Sequence, residues 1–343
     1  MRVLVAMSGG VDSSLAAARL VEEGHEVLGA TLKLWGGHSD SGCCSVADVT
    51  DARRVADHLG IDHHVFNYED VFQREVVGHY VAAHAAGSTP NPCVECNRHL
   101  KFGALLERAD RLGFDRVATG HHARIEWSPS GPELRRGADP AKDQSYVLSI
   151  LRRAELERVL LPIGSLTKDE VRHEAHRRGL RTADKPDSQD VCFIARATGG
   201  RETFLGERIE LHPGRALDAK SGEDLGAIAN LELLTLGQRR GVGLAGGTRR
   251  YVVGIDVVAR TATMGGPEDL LASEVDLAER TWTGEELPVG AAVSVQVSAH
   301  GEARPAHLSA SGVSFDEPQK AVAPGQIVAC YRDEVVVGSG VAR

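Results

Sequence analysis

Val3-Leu4-Val5-Ala6-Met7-Ser8-Gly9-Gly10-Val11-Asp12-Ser13-Ser14 runs from an apolar stretch through paired glycines into a segment whose Val11, Leu15, Ala18 and Val21 share one helical face. The pattern predicts a buried strand, a tight loop and a helix. Glycines let the backbone approach a ligand closely, and the free amides and dipole of a helix N-terminus favour an anion there. Ser8, Ser13 and Ser14 add hydroxyl donors. The loop lacks the lysine of Gly-x-x-x-x-Gly-Lys-[Ser/Thr] and is not Gly-x-Gly-x-x-Gly, so neither common nucleotide fingerprint describes it. Asp12 among phosphates makes sense as an oxygen ligand of Mg²⁺; without a metal it is an acid stabilising a helix start.

Outward from this turn, apolar runs alternate with helix-length segments: Val3 to Met7, Ser13 to Glu23, Val27 to Leu34, Val46 to Leu59. This βαβα order predicts a parallel sheet covered by helices. Arg116 to Thr119 is a further strand candidate, which puts Gly120 at the sheet edge where open α/β sheets bind ligands. His121 and His122 read as solvated or capping residues. Thr167-Lys168-Asp169-Glu170 has the form of a capping box opening a helix that Gly179 ends. Ser128 to Lys142, rich in Pro, Gly and Arg, reads as a loop. After about Gly199 short β-branched runs replace helical periodicity, and Gly265-Gly266-Pro267 marks a second boundary. The expected organisation is an α/β catalytic domain over 1–200, a small β-rich domain over 201–266 and a β-barrel-like domain over 267–343.

The 343 residues suffice for two or three domains, and 25% charged with 42% apolar residues is ordinary globular composition. The net charge of −9 argues against a nonspecific nucleic-acid coat while leaving room for a local basic face. No stretch approaches a membrane-spanning run and the start lacks a signal-peptide pattern, so a cytoplasmic protein with no membrane partner is expected. Six cysteines are too few for a disulfide framework in such a chain and point to catalysis, metal or sulfur chemistry.

Four of those cysteines fall in loops. Pro90 and Pro92 stiffen the entry to Cys93-Val94-Glu95-Cys96-Asn97, with a helix expected from near Asn97. A helix N-terminus favours thiolate. Taken alone, the Cys-x-x-Cys spacing permits zinc, iron-sulfur or a redox and sulfur-transfer pair. Cys43 and Cys44 lie in a glycine-rich stretch, Trp35 to Ser45, that has the composition of a flap. Cys330 sits in an apolar run and reads as a small buried hydrophobe.

The Ser8-Gly9-Gly10-Val11-Asp12-Ser13 order resembles the PP-loop of ATP pyrophosphatases. Asn91-Pro92-Cys93-Val94-Glu95-Cys96-Asn97, Lys142-Asp143-Gln144-Ser145-Tyr146, Asp187-Ser188-Gln189-Asp190-Val191-Cys192-Phe193-Ile194 and Gly237-Gln238-Arg239-Arg240-Gly241 follow in an order similar to that of the tRNA-specific 2-thiouridylase family. The likeness covers essentially the whole chain. It implies a PP-loop domain that splits ATP between its α and β phosphates, adenylates the C2 oxygen of the wobble uridine of tRNA and replaces it with sulfur. ATP and Mg²⁺ would be held by Ala6, Met7, Ser8, Gly9, Gly10, Val11, Asp12, Ser13, Leu32 and Gly120. Cys192 would carry a persulfide and Cys96 would be the second catalytic thiol, leaving a disulfide between them after transfer. Asn91, Pro92 and Cys93 would adjoin the target base, and Lys142, Asp143, Gln144, Ala299 and His300 would face tRNA. The sulfur would come from a cysteine desulfurase or a sulfur-relay protein.

The chain departs from the family at Cys93, where many members carry an Asp that is a candidate base. Cys93, Cys96 and Cys192 could instead hold a [4Fe-4S] cluster with one open iron. Another PP-loop ligase acting on a small metabolite is the reading that leaves the cysteines unused. Two further departures are Gly226-Ala227-Ile228-Ala229-Asn230, where a Gly-x-His-x-Gly pattern is usual, and Ala299-His300, where an Arg-Tyr pair is expected.

Overall fold

The computed structural model describes residues 1–35, 45–187, 191–194, 199–243 and 249–343. Seven strands precede residue 161: β1 (Arg2–Ala6), β2 (Glu26–Lys33), β3 (His63–Asn67), β4 (Arg116–Ala118), β5 (Ala123–Ser128), β6 (Gly131–Arg136) and β7 (Val159–Leu160). Five of them form a parallel sheet in the order β3-β2-β1-β4-β7. β1 lies at its centre, and its Val3, Leu4 and Val5 are fully buried, as a strand covered on both faces requires.

Helix α1 (Val11–Glu22) leaves the loop after β1 and packs against α3 (Lys168–Arg177), while α2 (Val46–Leu59) follows β2. The predicted capping box forms at α3. Thr167 Oγ1 accepts from the Glu170 amide (3.3 Å), and Glu170 accepts from the Thr167 amide (2.7 Å). Gly179, at φ 64°, closes the turn after it.

The second helix entry differs from expectation. It begins at Pro92, not near Asn97, because Asn91 caps it by accepting from the Cys93 amide (3.1 Å) and Pro92 occupies the first helical position. Cys93 therefore sits in the first turn, and Cys96 opens a π-helical stretch, Cys96–Ala104.

The second sheet contains β8 (Gly214–Asp218), β9 (Asp224–Ile228), β10 (Tyr251–Asp256) and β11 (Thr261–Gly265), in the order β10-β11-β8-β9. Six strands, β12 (Leu271–Trp282), β13 (Ala292–Gln296), β14 (Arg304–Leu308), β15 (Gly312–Lys320), β16 (Ile327–Arg332) and β17 (Val335–Ala342), close into a barrel because β12 pairs with both β15 and β17.

The stretch Ser128 to Lys142 is not simply a loop. Its first half is β6, paired with β5 in a hairpin and with β17 of the barrel through Val335 and Arg135. Alternation such as Ile125/Trp127 and Pro132/Leu134 is the strand signal, and the dense charge obscured it. The hairpin fastens the barrel to the α/β domain. A buried polar cluster does the same: Arg136 Nη1 donates to Asp143 (2.9 Å) and to Gln296 (2.9 Å), its guanidinium lies 3.8 Å over the Tyr331 ring, and Ser145 and Tyr331 hydroxyls meet at 3.2 Å. Among the described residues no helix is long and apolar enough to cross a membrane.

Candidate functional site

The loop after β1 is shaped by two close approaches. Gly9 has φ 74°, and a Cβ there would stand 2.3 Å from the Asp48 carbonyl oxygen at the start of α2. A Cβ on Gly120 would lie 2.6 Å from the Asp12 carbonyl carbon and the Ser13 nitrogen. Both positions tolerate nothing larger than glycine. Gly120 thus lies against the first turn of α1, beyond the end of β4. Met7 donates its amide to the Ala30 carbonyl (2.8 Å), which sets Leu32 beyond the β1 end on the same sheet edge. Ala6, Met7, Leu32 and Gly120 therefore gather around Ser8 to Ser13.

Within the loop, Ser13 Oγ accepts from the Ser8 amide (3.2 Å) and donates to the Gly10 carbonyl (3.2 Å), and Ser14 Oγ donates to the same carbonyl (2.8 Å). The N-cap Gly10 offers no side chain to the first-turn amides. An uncapped helix start, exposed Ser8 and the Asp12 carboxylate form a donor set that fits a Mg²⁺-bound polyphosphate.

Asp12 is held by groups far away in sequence. Lys168 Nζ donates to its two oxygens at 2.7 and 2.8 Å, and His122 Nε2 donates at 3.1 Å. Burial pushes the Asp12 carboxyl up, but the hydrogen bonds and charges of His122 and Lys168 outweigh it, so it lies below the usual carboxylate range. The same Lys168 ammonium reaches Asp187 at 2.9 Å, where Lys142 (2.7 Å) and Arg172 (2.8 Å) also converge. Burial opposes these bonds at Asp187, yet its carboxyl falls to about 2. On the far side of the loop, Lys185 Nζ donates to the Gly9 carbonyl (3.0 Å), Asp48 (2.7 Å) and Asp51 (2.8 Å).

Lys168, Lys185 and His122 are site residues that the sequence reading missed. His121 and His122 are buried, not solvated. His121 bonds Thr119 Oγ1 at 2.7 Å, and its burial holds the ring well below its ordinary pKa.

The cysteine segments meet on one support. Cys96 and Cys192 are both half-buried against the same hydrophobic cluster. The helical run 69–85 underlies both: Phe193 packs edge-on against Phe72 (5.7 Å) and Tyr80 (5.6 Å), and the π stretch Gln73–Gly78 touches the stretch that Cys96 opens. Cys93 is exposed. Among the described residues no group of three His, Cys, Asp or Glu side chains is placed to hold a metal ion. Cys43, Cys44 and most of the expected flap lie outside the described residues. Cys330 is buried in the barrel and burial pushes its thiol up to about 12.

The loop preceding Cys93 is pinned to the barrel, since the Thr89 amide donates to Pro324 (2.8 Å) and Gln326 donates to the Thr89 carbonyl. Hydrogen bonds also link Asp12 to this region: Gln144 Oε1 accepts from the His122 amide (2.9 Å), and Asn97 Nδ2 donates to the Val147 carbonyl (3.2 Å). Of the residues expected to face tRNA, His300 is exposed, whereas Lys142, Gln144 and Ala299 are half-buried. Asp143 is buried and accepts from Arg136, the Gly137 and Ser145 amides and the Ser145 hydroxyl, so it shapes its loop from within. Pro92 is buried as well, and the Asn91 Oδ1 accepts the capping bond.

Family models match along nearly the whole chain: a tRNA methyl transferase HUP domain over residues 1–196, a tRNA methyl transferase PRC-barrel domain over 202–265 and an aminomethyltransferase β-barrel domain over 273–342. The tRNA-specific 2-thiouridylase MnmA of Acidothermus cellulolyticus is 46% identical over 352 residues, covering 99% of this chain and 96% of that protein. Its namesakes from Chloroflexus aurantiacus and Mycolicibacterium smegmatis are 47% and 45% identical, with 98% and 100% of this chain and 97% and 100% of those proteins covered. A PP-loop turn, two cysteine segments on one support and full-length identity of this order agree: the chain belongs to the tRNA-specific 2-thiouridylase family.

Proposed function

We propose that the chain is an ATP-dependent tRNA-uridine 2-sulfurtransferase acting at the wobble position. The observation that carries the reading is the Asp12 cluster at an uncapped helix start, tied through Lys168 to Asp187, five residues before Cys192. A ring carbonyl oxygen is a poor leaving group. The C2 oxygen of uridine attacks the α phosphate of ATP, pyrophosphate departs, and the oxygen becomes part of an adenylate. Bound Mg²⁺, with Asp12 as its ligand, supplies neutralisation of the phosphates. The Ser8 to Ser13 loop, with its amides and hydroxyls, grips the leaving pyrophosphate.

Sulfur arrives as a persulfide on Cys192, supplied by a cysteine desulfurase or a relay protein. The Cys96 thiolate attacks the Cys192 sulfur, breaking the bond to the terminal sulfur and forming a Cys96–Cys192 disulfide. The released hydrosulfide attacks C2, and AMP leaves with the former carbonyl oxygen. A dithiol reductant returns two electrons to the pair. The base must leave its stack to meet both ATP and sulfur, and Cys93, His300, Lys142, Gln144 and Ala299 are the residues we assign to tRNA contact. The pyrophosphate loop and the cysteines favour thiolation over methyl transfer, which needs neither.

The test is to incubate the chain with unmodified tRNA, Mg²⁺-ATP and a sulfur source, then analyse nucleosides by mass. 2-Thiouridine with AMP is expected. AMP formed on a small metabolite, with activity surviving Cys96→Ser and Cys192→Ser, would point to another PP-loop ligase.

A further inference from the structure

The loop carries no lysine of its own between Ser8 and Ser14, although its proposed ligand brings several negative charges to it. We propose that Lys168 supplies that missing cation, contacting the β and γ phosphates of ATP and then the departing pyrophosphate. This rests on the ATP reading given above.

Three observations carry it. First, Lys168 sits at the first position of α3, where the helix dipole disfavours a cation and an acid is the usual occupant. A lysine there that is only 8% exposed is engaged with something other than its helix. Second, its backbone is fixed, which leaves only side-chain torsions to redirect its head group. The Thr167 cap precedes it and its own amide donates to Asp139 (3.0 Å), so reorientation is confined to the side chain.

Third, neither carboxylate is stranded when the ammonium turns away. Asp187 keeps Lys142 and Arg172, and Asp12 keeps His122 and gains the magnesium ion that accompanies ATP. Among the described residues, Lys168 is the one of the three cations around Asp187 that also touches the loop. Lys185, by contrast, lies behind the loop on the Gly9 carbonyl and sets its shape. The phosphates thus replace two carboxylates as partners of one ammonium, and charge balance is kept at each.

The experiment compares binding of Mg²⁺-ATP, Mg²⁺-pyrophosphate and AMP to the full-length wild type, Lys168→Met and Lys168→Arg by calorimetry, with thermal unfolding followed in parallel. ATP and pyrophosphate should weaken about tenfold or more in Lys168→Met, with AMP changed less than about twofold and Lys168→Arg close to wild type. A merely structural lysine would lower the unfolding temperature and weaken all three ligands alike, or none. Should Lys168→Met not fold, Lys168→Gln, whose amide can still donate a hydrogen bond, takes its place. Wild-type affinity for pyrophosphate in the neutral variant overturns this inference alone. A wild type that binds neither ATP nor pyrophosphate overturns the functional reading and this one with it.

Discussion

Lys168 and Asp12, 156 residues apart in sequence, are joined by two hydrogen bonds of 2.7 and 2.8 Å. One ammonium thereby ties the turn after the central strand to the stretch that leads to Cys192. The loop after β1 and the stretch that precedes Cys192 are parts of one charge network, and the following outcomes are expected of it.

Gly120→Ala should remove activity. The added Cβ meets backbone atoms of Asp12 and Ser13 at 2.6 Å, which no rotamer change relieves. Overpacking of this kind costs about 1–3 kcal/mol. The first turn of α1 shifts, so turnover is expected to fall at least about a hundredfold while the unfolding temperature drops by only a few degrees, measured by AMP release and calorimetry.

Arg136→Met should separate tRNA recognition from ATP use. Arg136 joins Asp143, Gln296 and the Tyr331 ring at the junction of the α/β domain and the barrel. Its loss leaves a buried carboxylate short of its cation, a change of about 3–5 kcal/mol. The KM for tRNA is expected to rise more than the KM for ATP, because the ATP loop lies outside this cluster.

Cys330 should prove inert. Its thiol is 2% exposed and pushed up to about 12 by burial, so native alkylation should leave it unmodified until the chain is denatured. Cys330→Ala is expected to thiolate tRNA within about twofold of wild type, at a stability cost of about 1 kcal/mol. Peptide mass mapping before and after unfolding checks the first half of this.

Stability should fall as the pH drops from about 6.5 toward 4. Burial holds His84, beside Tyr80 and 3.3 Å from the Glu232 carbonyl, at about 4. Because the folded pKa is depressed, the neutral ring's contribution is full above the unfolded value and is lost as the unfolded chain binds a proton the fold refuses. The shift corresponds to on the order of 3 kcal/mol. His121, depressed in the same direction, adds to the loss. His84→Gln should flatten the slope of unfolding temperature against pH across that window.

The strand, loop and helix around Ser8 to Ser14 were legible because each is local: an apolar run, two glycines and one helical face. The Thr167 capping box and the burial of Cys330 were legible for the same reason. Lys168, Lys185 and His122 were not, since each reaches Asp12 or Gly9 across more than a hundred residues and no spacing rule connects them. One signal was present: a lysine at a helix's first turn contradicts the dipole and invites a search for its partner. The hairpin of β5 and β6 was hidden by charges that pair with one another on its surface, as Arg124 and Arg135 do with Glu126. Asp143 is buried because its loop needs an acceptor for two amides, a demand that no local spacing rule reveals.

Adenylation of the base is tested most directly by the fate of one oxygen. In tRNA carrying ¹⁸O at C2 of the wobble uridine, turnover with Mg²⁺-ATP and a sulfur source should deliver that label into AMP, one atom per 2-thiouridine formed. Unlabelled AMP, or label released as water, would contradict adenylation of the base.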